Sequence, residues 1–303
     1  LYSLDLTSEN LPRIHRIIER GEELSQRYLK LVPRLETVIR TDPQFRAFQT
    51  FQSNQLELQG PSLEVTERII KELAQIDEPK DLWEYSNSEN ISKFLALKIV
   101  TADSHIVDVL GQHQANVLVE RIAKDLTTDR PFVEADLRSL NRFCIQGKLH
   151  AGSYRTHDRI NIGQNFDDGD PFWFARTLDR PVEISAGDVP DEIRQICEYI
   201  SRRHRFPALA AAVAHAWFTY VHPFEDGNGR VARLIANLVL LRNGWPPITI
   251  RKQRRDEYLD ALMESDVGGD ISLLFELFID EIDTTLSELE DVKFWTKRYR
   301  LAL

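Results

Sequence analysis

Sulfur is scarce in this chain: Met263 is the sole methionine, and Cys144 and Cys197 are the only cysteines. The two cysteines show no metal or redox spacing, so they suit a reducing, cytoplasmic compartment better than a disulfide scaffold. Positive charge is also in deficit, with 38 Lys and Arg against 48 Asp and Glu and a net charge of −10. That balance argues against unassisted binding to nucleic acid or anionic membrane surfaces, which need clustered Lys and Arg. No window approaches the roughly 18 apolar residues that a membrane span requires, and no secretory leader is expected. Internal repeats and low-complexity tracts are missing too. With Leu1 first and no early methionine, a trimmed or processed N-terminus is expected. What remains is 303 residues, 42% hydrophobic, enough for a large core in one extended domain or two.

The chemistry concentrates in one stretch, His222-Pro223-Phe224-Glu225-Asp226-Gly227-Asn228-Gly229-Arg230-Val231-Ala232-Arg233. Upstream, residues 207–221 are apolar almost all round and begin with a proline at a favoured first helical position, which predicts a buried helix. Pro223 biases His222 away from helical dihedrals, so that helix should end there and leave the imidazole at a bend. Gly227 and Gly229 let the backbone approach a ligand. A second helix follows over about 230–243, ending at Gly244 with Pro246 and Pro247 beyond. A glycine-rich turn feeding a helix N-terminus is an anion site, because free N–H groups and the helix dipole converge on it. Arg230 and Arg233, three residues apart, share a helix face and can reach adjacent phosphates. His222 is the natural general base. Asp226 beside a phosphate is a natural Mg²⁺ ligand, since Mg²⁺ prefers one or two carboxylates plus phosphate oxygens.

These twelve residues match the signature HPFxxGNGRxxR at every fixed position, and the chain resembles the Fic family. The resemblance implies a mainly α fold, a helical bundle with a short β-hairpin flap over the active site. It implies transfer of AMP from ATP to a protein hydroxyl of Ser, Thr or Tyr, with His222 deprotonating the acceptor and Asp226 holding Mg²⁺. Asn228 and the amides of Gly227 and Gly229 would bind phosphates, and Arg230 and Arg233 would take the β- and γ-phosphates. Retention of Asp226 just before glycine favours AMP transfer over branches with altered motifs.

Three further segments extend the resemblance. Residues 149–163 carry glycine at both ends and alternate Ile160 and Ile162 around Asn161, which reads as a short hairpin. They resemble the Fic flap, with Leu149, His150, Ala151 and Gly152 facing the nucleotide and the target segment aligned by strand pairing. Residues 165–190, rich in Asp, Gly and Pro, look like a loop insertion. Ser53 and Glu57 fit the S/T-x-x-x-E part of the family's inhibitory helix, although the pattern continues with Gly or Asn and this chain has Leu58. If the match holds, Glu57 reaches Arg233 and occupies the place of the ATP γ-phosphate. Ser88-Glu89-Asn90 is a weaker competitor, lacking Ser or Thr four residues before its Glu. Arg255 to Tyr258 resembles the family's RxxY helix, in which Tyr258 would line the adenine pocket. His215, on the apolar helix, reads as a core residue, and His157-Asp158 lacks the partner histidines of a metal phosphohydrolase.

Elsewhere the pattern is helical. Helices are expected over 10–40 with an interruption at Pro33, over 45–59, 63–76, 91–106, 116–126, 133–145 and 272–289. Gly60-Pro61-Ser62 is a break with Ser62 as a plausible N-cap. The expected organisation is an N-terminal helical region over 1–98 carrying the inhibitory motif, a Fic catalytic core over 99–280, and a C-terminal helix or linker over 281–303. The expected function is that of a protein adenylyltransferase acting on a protein target and itself, restrained by Glu57. Two alternatives stay open: a hydrolase that strips AMP from modified proteins, and a module that senses ATP without transfer. Oligomeric state is open, a homodimer included.

Overall fold

The computed structural model describes residues 4, 7, 10–41, 43–74, 103–127, 129–158 and 184–290. They form α1 (Leu11–Thr41), α2 (Pro43–Leu56), α3 (Leu63–Leu73), α4 (Asp103–Asp125), α5 (Glu134–Cys144), α6 (Val189–Ser201), α7 (Pro207–Val221), α8 (Asn228–Arg242), a 3₁₀ turn (Lys252–Arg254), α9 (Arg255–Val267) and α10 (Ser272–Glu290). The architecture is mainly helical, as the sequence implies. No helix among the described residues is long and apolar enough to cross a membrane.

The centre of the bundle is the pair α7 and α8. Pro207 opens α7 at the position where a missing N–H costs nothing, and a run of alanines lets neighbouring backbones come close. Ala211, Ala212, Ala214, Phe218 and Val221 are wholly buried, as are Val231, Ile235, Leu238 and Leu240 of α8. Phe278 of α10 packs edge-on against His215, so α10 closes the same core. Truncating a buried Phe of this kind to Ala costs about 3–5 kcal/mol.

The N-terminal helix belongs to the same apolar core, through Ile14, Ile17, Leu24 and Tyr28. Its register against α10 is set by charge. Arg13 pairs with Glu276, Arg20 with Asp283, and Arg27 with Glu290, each pair separated by 263 residues. Both series advance by seven, so α1 and α10 run parallel with a coiled-coil repeat. Gly21 sits in this seam, where an added Cβ would lie 3.1 Å from Ile279 Cδ1.

Several sequence expectations are corrected. Pro33 does not interrupt α1, which runs unbroken to Thr41. The separate helices expected over 91–106 and 116–126 are replaced, within the described residues, by one helix that passes through Gly111. A Cβ at Gly111 would collide with the Phe143 carbonyl, so the glycine marks a close crossing of α4 and α5 rather than a break. Helix α6 was not anticipated. The hairpin flap is not shown: the described part of it, 149–158, contains no strand and makes one isolated antiparallel bridge, Tyr154 with Phe224. Residues 159–163 of that expectation lie outside the described residues, as do 165–183 of the expected insertion, the 88–90 motif and the tail after 290.

Candidate active site

The bend at His222 forms as the proline predicts. His222 is the C-cap of α7 in the left-handed region (φ 46°, ψ 60°), and its N–H still donates to Phe218 O at 3.0 Å. The next turn is closed by Asn228, which accepts from the Phe224 N–H at 3.0 Å and donates to the Phe224 carbonyl at 2.7 Å. Asn228, expected on phosphate, is therefore committed to shaping the loop. Gly227 caps α8 at φ 81°, and a Cβ there would also strike Ile145 and Asn141. The half-buried imidazole of His222 has its pKa lowered to about 4: burial dominates, the Thr219 carbonyl opposes it, and the Arg155 charge adds to the lowering. The ring is thus neutral at physiological pH, as a general base must be.

Asp226 faces Lys148, with which it forms an ion pair, and accepts from the Gly227 N–H at 2.6 Å. Burial would raise its pKa, but the Lys148 hydrogen bond and the charges of Arg230 and Lys148 prevail and hold it below the usual carboxylate range. Lys148 was not foreseen as part of the site. Asn141 of α5 was also missed. Its amide donates to the Asp226 carbonyl at 2.9 Å and accepts from the Gly152 N–H at 2.8 Å, fastening the 149–152 segment to the motif loop. Within that segment Leu149 is fully exposed and Gly152 is buried.

The two arginines of α8 are buried, at 1% exposure for Arg230 and 6% for Arg233. Among the described residues Arg230 has only distant carboxylates, Asp226 at 3.7 Å and Asp108 at 3.9 Å, and its Nε and Nη1 have no hydrogen-bond partner. Arg233 is held from across the sequence. Its Nη2 donates to Glu57 Oε1 and to the Ser53 carbonyl, both at 2.8 Å, and its Nε donates to Ser53 Oγ at 3.2 Å. Its Nη1 is unpartnered. Burial would lower the Arg233 pKa, but Glu57 and Tyr258 raise it further.

The first turn of α8 has no acidic residue of its own; Asp226, just before it, and Glu57, from across the chain, bring carboxylates to that helix start. A Cβ on Gly229 would overlap Glu57 Oε1, so the glycine is what allows the approach. Glu57 lies one residue past the end of α2, and Leu58 after it is left-handed at φ 55°. That is the geometry that Gly or Asn adopts readily, which explains the pattern from which Leu58 departs.

Tyr258 is corrected from the expected adenine wall. It is 3% exposed, and its hydroxyl lies 2.9 Å from His215 Nε2, so it presents almost no surface to a ligand and instead braces Arg233. Burial pushes its pKa up to about 12 and that of His215 down to about 3. His157 lies 3.4 Å from Glu225 at the surface, and no group of three His, Cys, Asp or Glu that could hold a metal occurs among the described residues. A groove of about 960 Å³ between α1 and residues 204–209 contains none of the motif residues.

A bend that carries a half-buried, neutral imidazole leads here into a helix start with two buried guanidinium groups, an arrangement whose charge and donors suit an anion. Residues 131–240 match the profile of the Fic/DOC family. It is similar to protein adenylyltransferase Fic of Aedes aegypti, 40% identical over 89 residues, which is 29% of this chain and 17% of the relative. The similarity to the Nematostella vectensis protein of the same name is 47% over 62 residues, 20% of this chain and 14% of that one. These alignments thus span less than a fifth of the curated relatives. The fold is also that of C. elegans Fic-1 (residues 134–508), with TM-score 0.65, 18% identity and coverage of 93% of this chain and 74% of that one. A Fic domain containing signaling protein from Bacteroides thetaiotaomicron gives TM-score 0.60 at 22% identity, covering 88% and 92%.

Proposed function

We propose that this protein transfers AMP from ATP to a hydroxyl of a protein target, and that Glu57 restrains it. The observation that carries the proposal is the pair of buried guanidinium groups at the start of α8, with Arg230 Nε and Nη1 and Arg233 Nη1 unpartnered. Buried, unpaired charged donors are costly, and a polyphosphate supplies the acceptors they lack. The Aedes and Nematostella relatives are named for the same activity.

In this reading the triphosphate lies on the first turn of α8, where the free N–H groups and the helix dipole add to the two arginines. Gly227 and Gly229 give the backbone access, while Asn228 keeps the loop in shape. His222, neutral at its bend, accepts the proton of the attacking Ser, Thr or Tyr hydroxyl. Attack on the α-phosphorus forms the new P–O bond to the target and releases pyrophosphate. Asp226, ionised, would hold Mg²⁺ together with phosphate oxygens, after Lys148 gives up its ion pair; a single carboxylate fits that ion's habits. The metal's contribution is charge neutralisation, and positioning by the chain supplies most of the remainder. The target would lie along residues 149–158, where Leu149 is fully exposed.

Glu57 accounts for repression. Its carboxylate takes one arm of Arg233 and overlies Gly229, the ground that a terminal phosphate needs. The test is mass spectrometry of the protein incubated with ATP and Mg²⁺, as wild type and as Glu57→Gly. A gain of one AMP unit, larger in Glu57→Gly and abolished by His222→Ala, is expected. Tight ATP binding with no AMP gain in either form would instead make the protein a nucleotide sensor.

A further inference from the structure

The carbonyls of Val221, His222 and Pro223 all end on one residue, Arg155. Its Nε donates to His222 O at 3.0 Å, its Nη2 approaches Val221 O at 3.4 Å, and its backbone N–H donates to Pro223 O at 2.8 Å. The remaining guanidinium edges donate to His157 O at 2.9 Å and Ile184 O at 2.6 Å. Arg155 is 3% exposed, and among the described residues its anionic neighbours are Asp158, 3.8 Å away and largely in solvent, and Glu225, whose charge also reaches it. A buried guanidinium whose direct partners are carbonyls is an unusual use of charge. Burial lowers its pKa, but arginine stays protonated throughout the physiological range.

The bend needs such a partner for two reasons. The last carbonyls of a helix have no internal donors, and Pro223 removes the N–H that would otherwise help to close the turn. A histidine held left-handed costs on the order of 1 kcal/mol or more and persists only where its surroundings over-determine it. The planar fork of arginine meets adjacent carbonyls in a fixed geometry, which an ammonium group cannot reproduce. Because Arg155 also carries the 149–158 segment, it ties the candidate target-aligning strip to the backbone of the candidate base.

We propose that Arg155 is a positioning residue of the transfer reaction, fixing the backbone bend that aims the His222 ring and holding the 149–158 segment against it. The proposal rests on the AMP-transfer reading above. It places Arg155 away from the phosphates, so its loss should cost turnover and not nucleotide affinity. Misplacing a reacting group by about 1 Å can cost roughly 10²-fold.

The test uses Glu57→Gly as parent, with Arg155→Lys, Arg155→Met and His222→Ala added singly. Turnover is measured by AMP transfer at saturating ATP. ATP affinity and the number of ATP sites per chain are measured by calorimetry, and folding by thermal melting. For Arg155→Lys we expect transfer per ATP-binding site to fall about 30- to 100-fold, with the ATP Kd within about threefold of the parent. Arg155→Met should fall at least as far; if it does not fold, Arg155→Lys decides the matter. Unchanged turnover in Arg155→Lys, or a loss that only tracks the number of ATP sites, overturns the positioning role and leaves the transfer reading intact. An ATP Kd weakened in step with turnover also overturns it. A parent that transfers no AMP, or a His222→Ala variant as active as its parent, removes the transfer reading itself and this proposal with it.

Discussion

Glu57 Oε1 and Arg233 Nη2 lie 2.8 Å apart, although 176 residues separate them in sequence. The carboxylate side chain is one-third exposed while the guanidinium is buried, so the pair is rooted in Arg233 and can be released from the Glu57 side. Couplings of this kind are typically worth about 5- to 150-fold. Glu57→Gly should therefore raise AMP transfer about 5- to 150-fold, read as labelled-ATP incorporation. The same change leaves a buried cation with Ser53 and Tyr258 alone, so the melting temperature should drop by about 2–4 °C and recover on adding ATP. No gain in transfer would remove Glu57 from the regulatory account.

Leu58 stores backbone strain beside that carboxylate, with φ at 55° and its side chain half exposed. Glycine accepts this conformation without the Cβ penalty of about 1 kcal/mol. Leu58→Gly should stabilise the repressed state, lowering basal transfer about three- to fivefold without altering turnover in a Glu57→Gly background. Equal loss in both backgrounds would contradict the strain argument.

Lys148 holds the Asp226 oxygen that a bound cation would need. Both are substantially exposed, so their ion pair is worth about 0–1 kcal/mol. Lys148→Ala should reduce the Mg²⁺ concentration for half-maximal transfer by up to about fivefold, and removing Mg²⁺ with a chelator should abolish transfer in both proteins. A higher Mg²⁺ requirement would give Lys148 a role on the nucleotide instead.

The pH dependence follows from the histidines. With the His222 pKa lowered to about 4, the base is already neutral well below pH 6.5, so transfer should lack an acidic limb near pH 6.5 and fall only toward pH 4. For stability the sign is fixed by the same shift. His215 and His222 titrate at about 3 and about 4 when folded and near 6.5 when unfolded. Between those values the unfolded chain binds more protons, so stability is present above about pH 6.5 and declines as pH falls toward 4. Each histidine contributes up to about 1.4 kcal/mol per pH unit in that window. Melting curves from pH 7.5 to 4.5 should show this decline, and His215→Gln should flatten it.

The parts of the site that follow from local chain chemistry were legible in the sequence. Pro223 ends α7, and Ser53 and Glu57 share one side of a helix end because they are four residues apart. What was not legible depends on contacts made across the chain. Arg155 and Asn141 look like ordinary polar residues until the fold brings the carbonyls of 221–226 to them. Tyr258 carries an aromatic ring suited to a purine, but His215 and Arg233 draw its hydroxyl inward. Gly111 has weak helix propensity, yet α4 runs through it and packs closely on Phe143. The heptad of Arg13, Arg20 and Arg27 is visible in the sequence, but only its partners in α10 give it meaning.

That matched seam sets a rule for anyone recombining this molecule. Arg13, Arg20 and Arg27 on α1 neutralise Glu276, Asp283 and Glu290 on α10 in strict register, and Gly21 leaves room for Ile279. Grafting either helix into a chimera alone would present a column of like charges with nothing to cancel it. A cut in a loop between them severs no seam contact, so the seam should help the two fragments to reassociate.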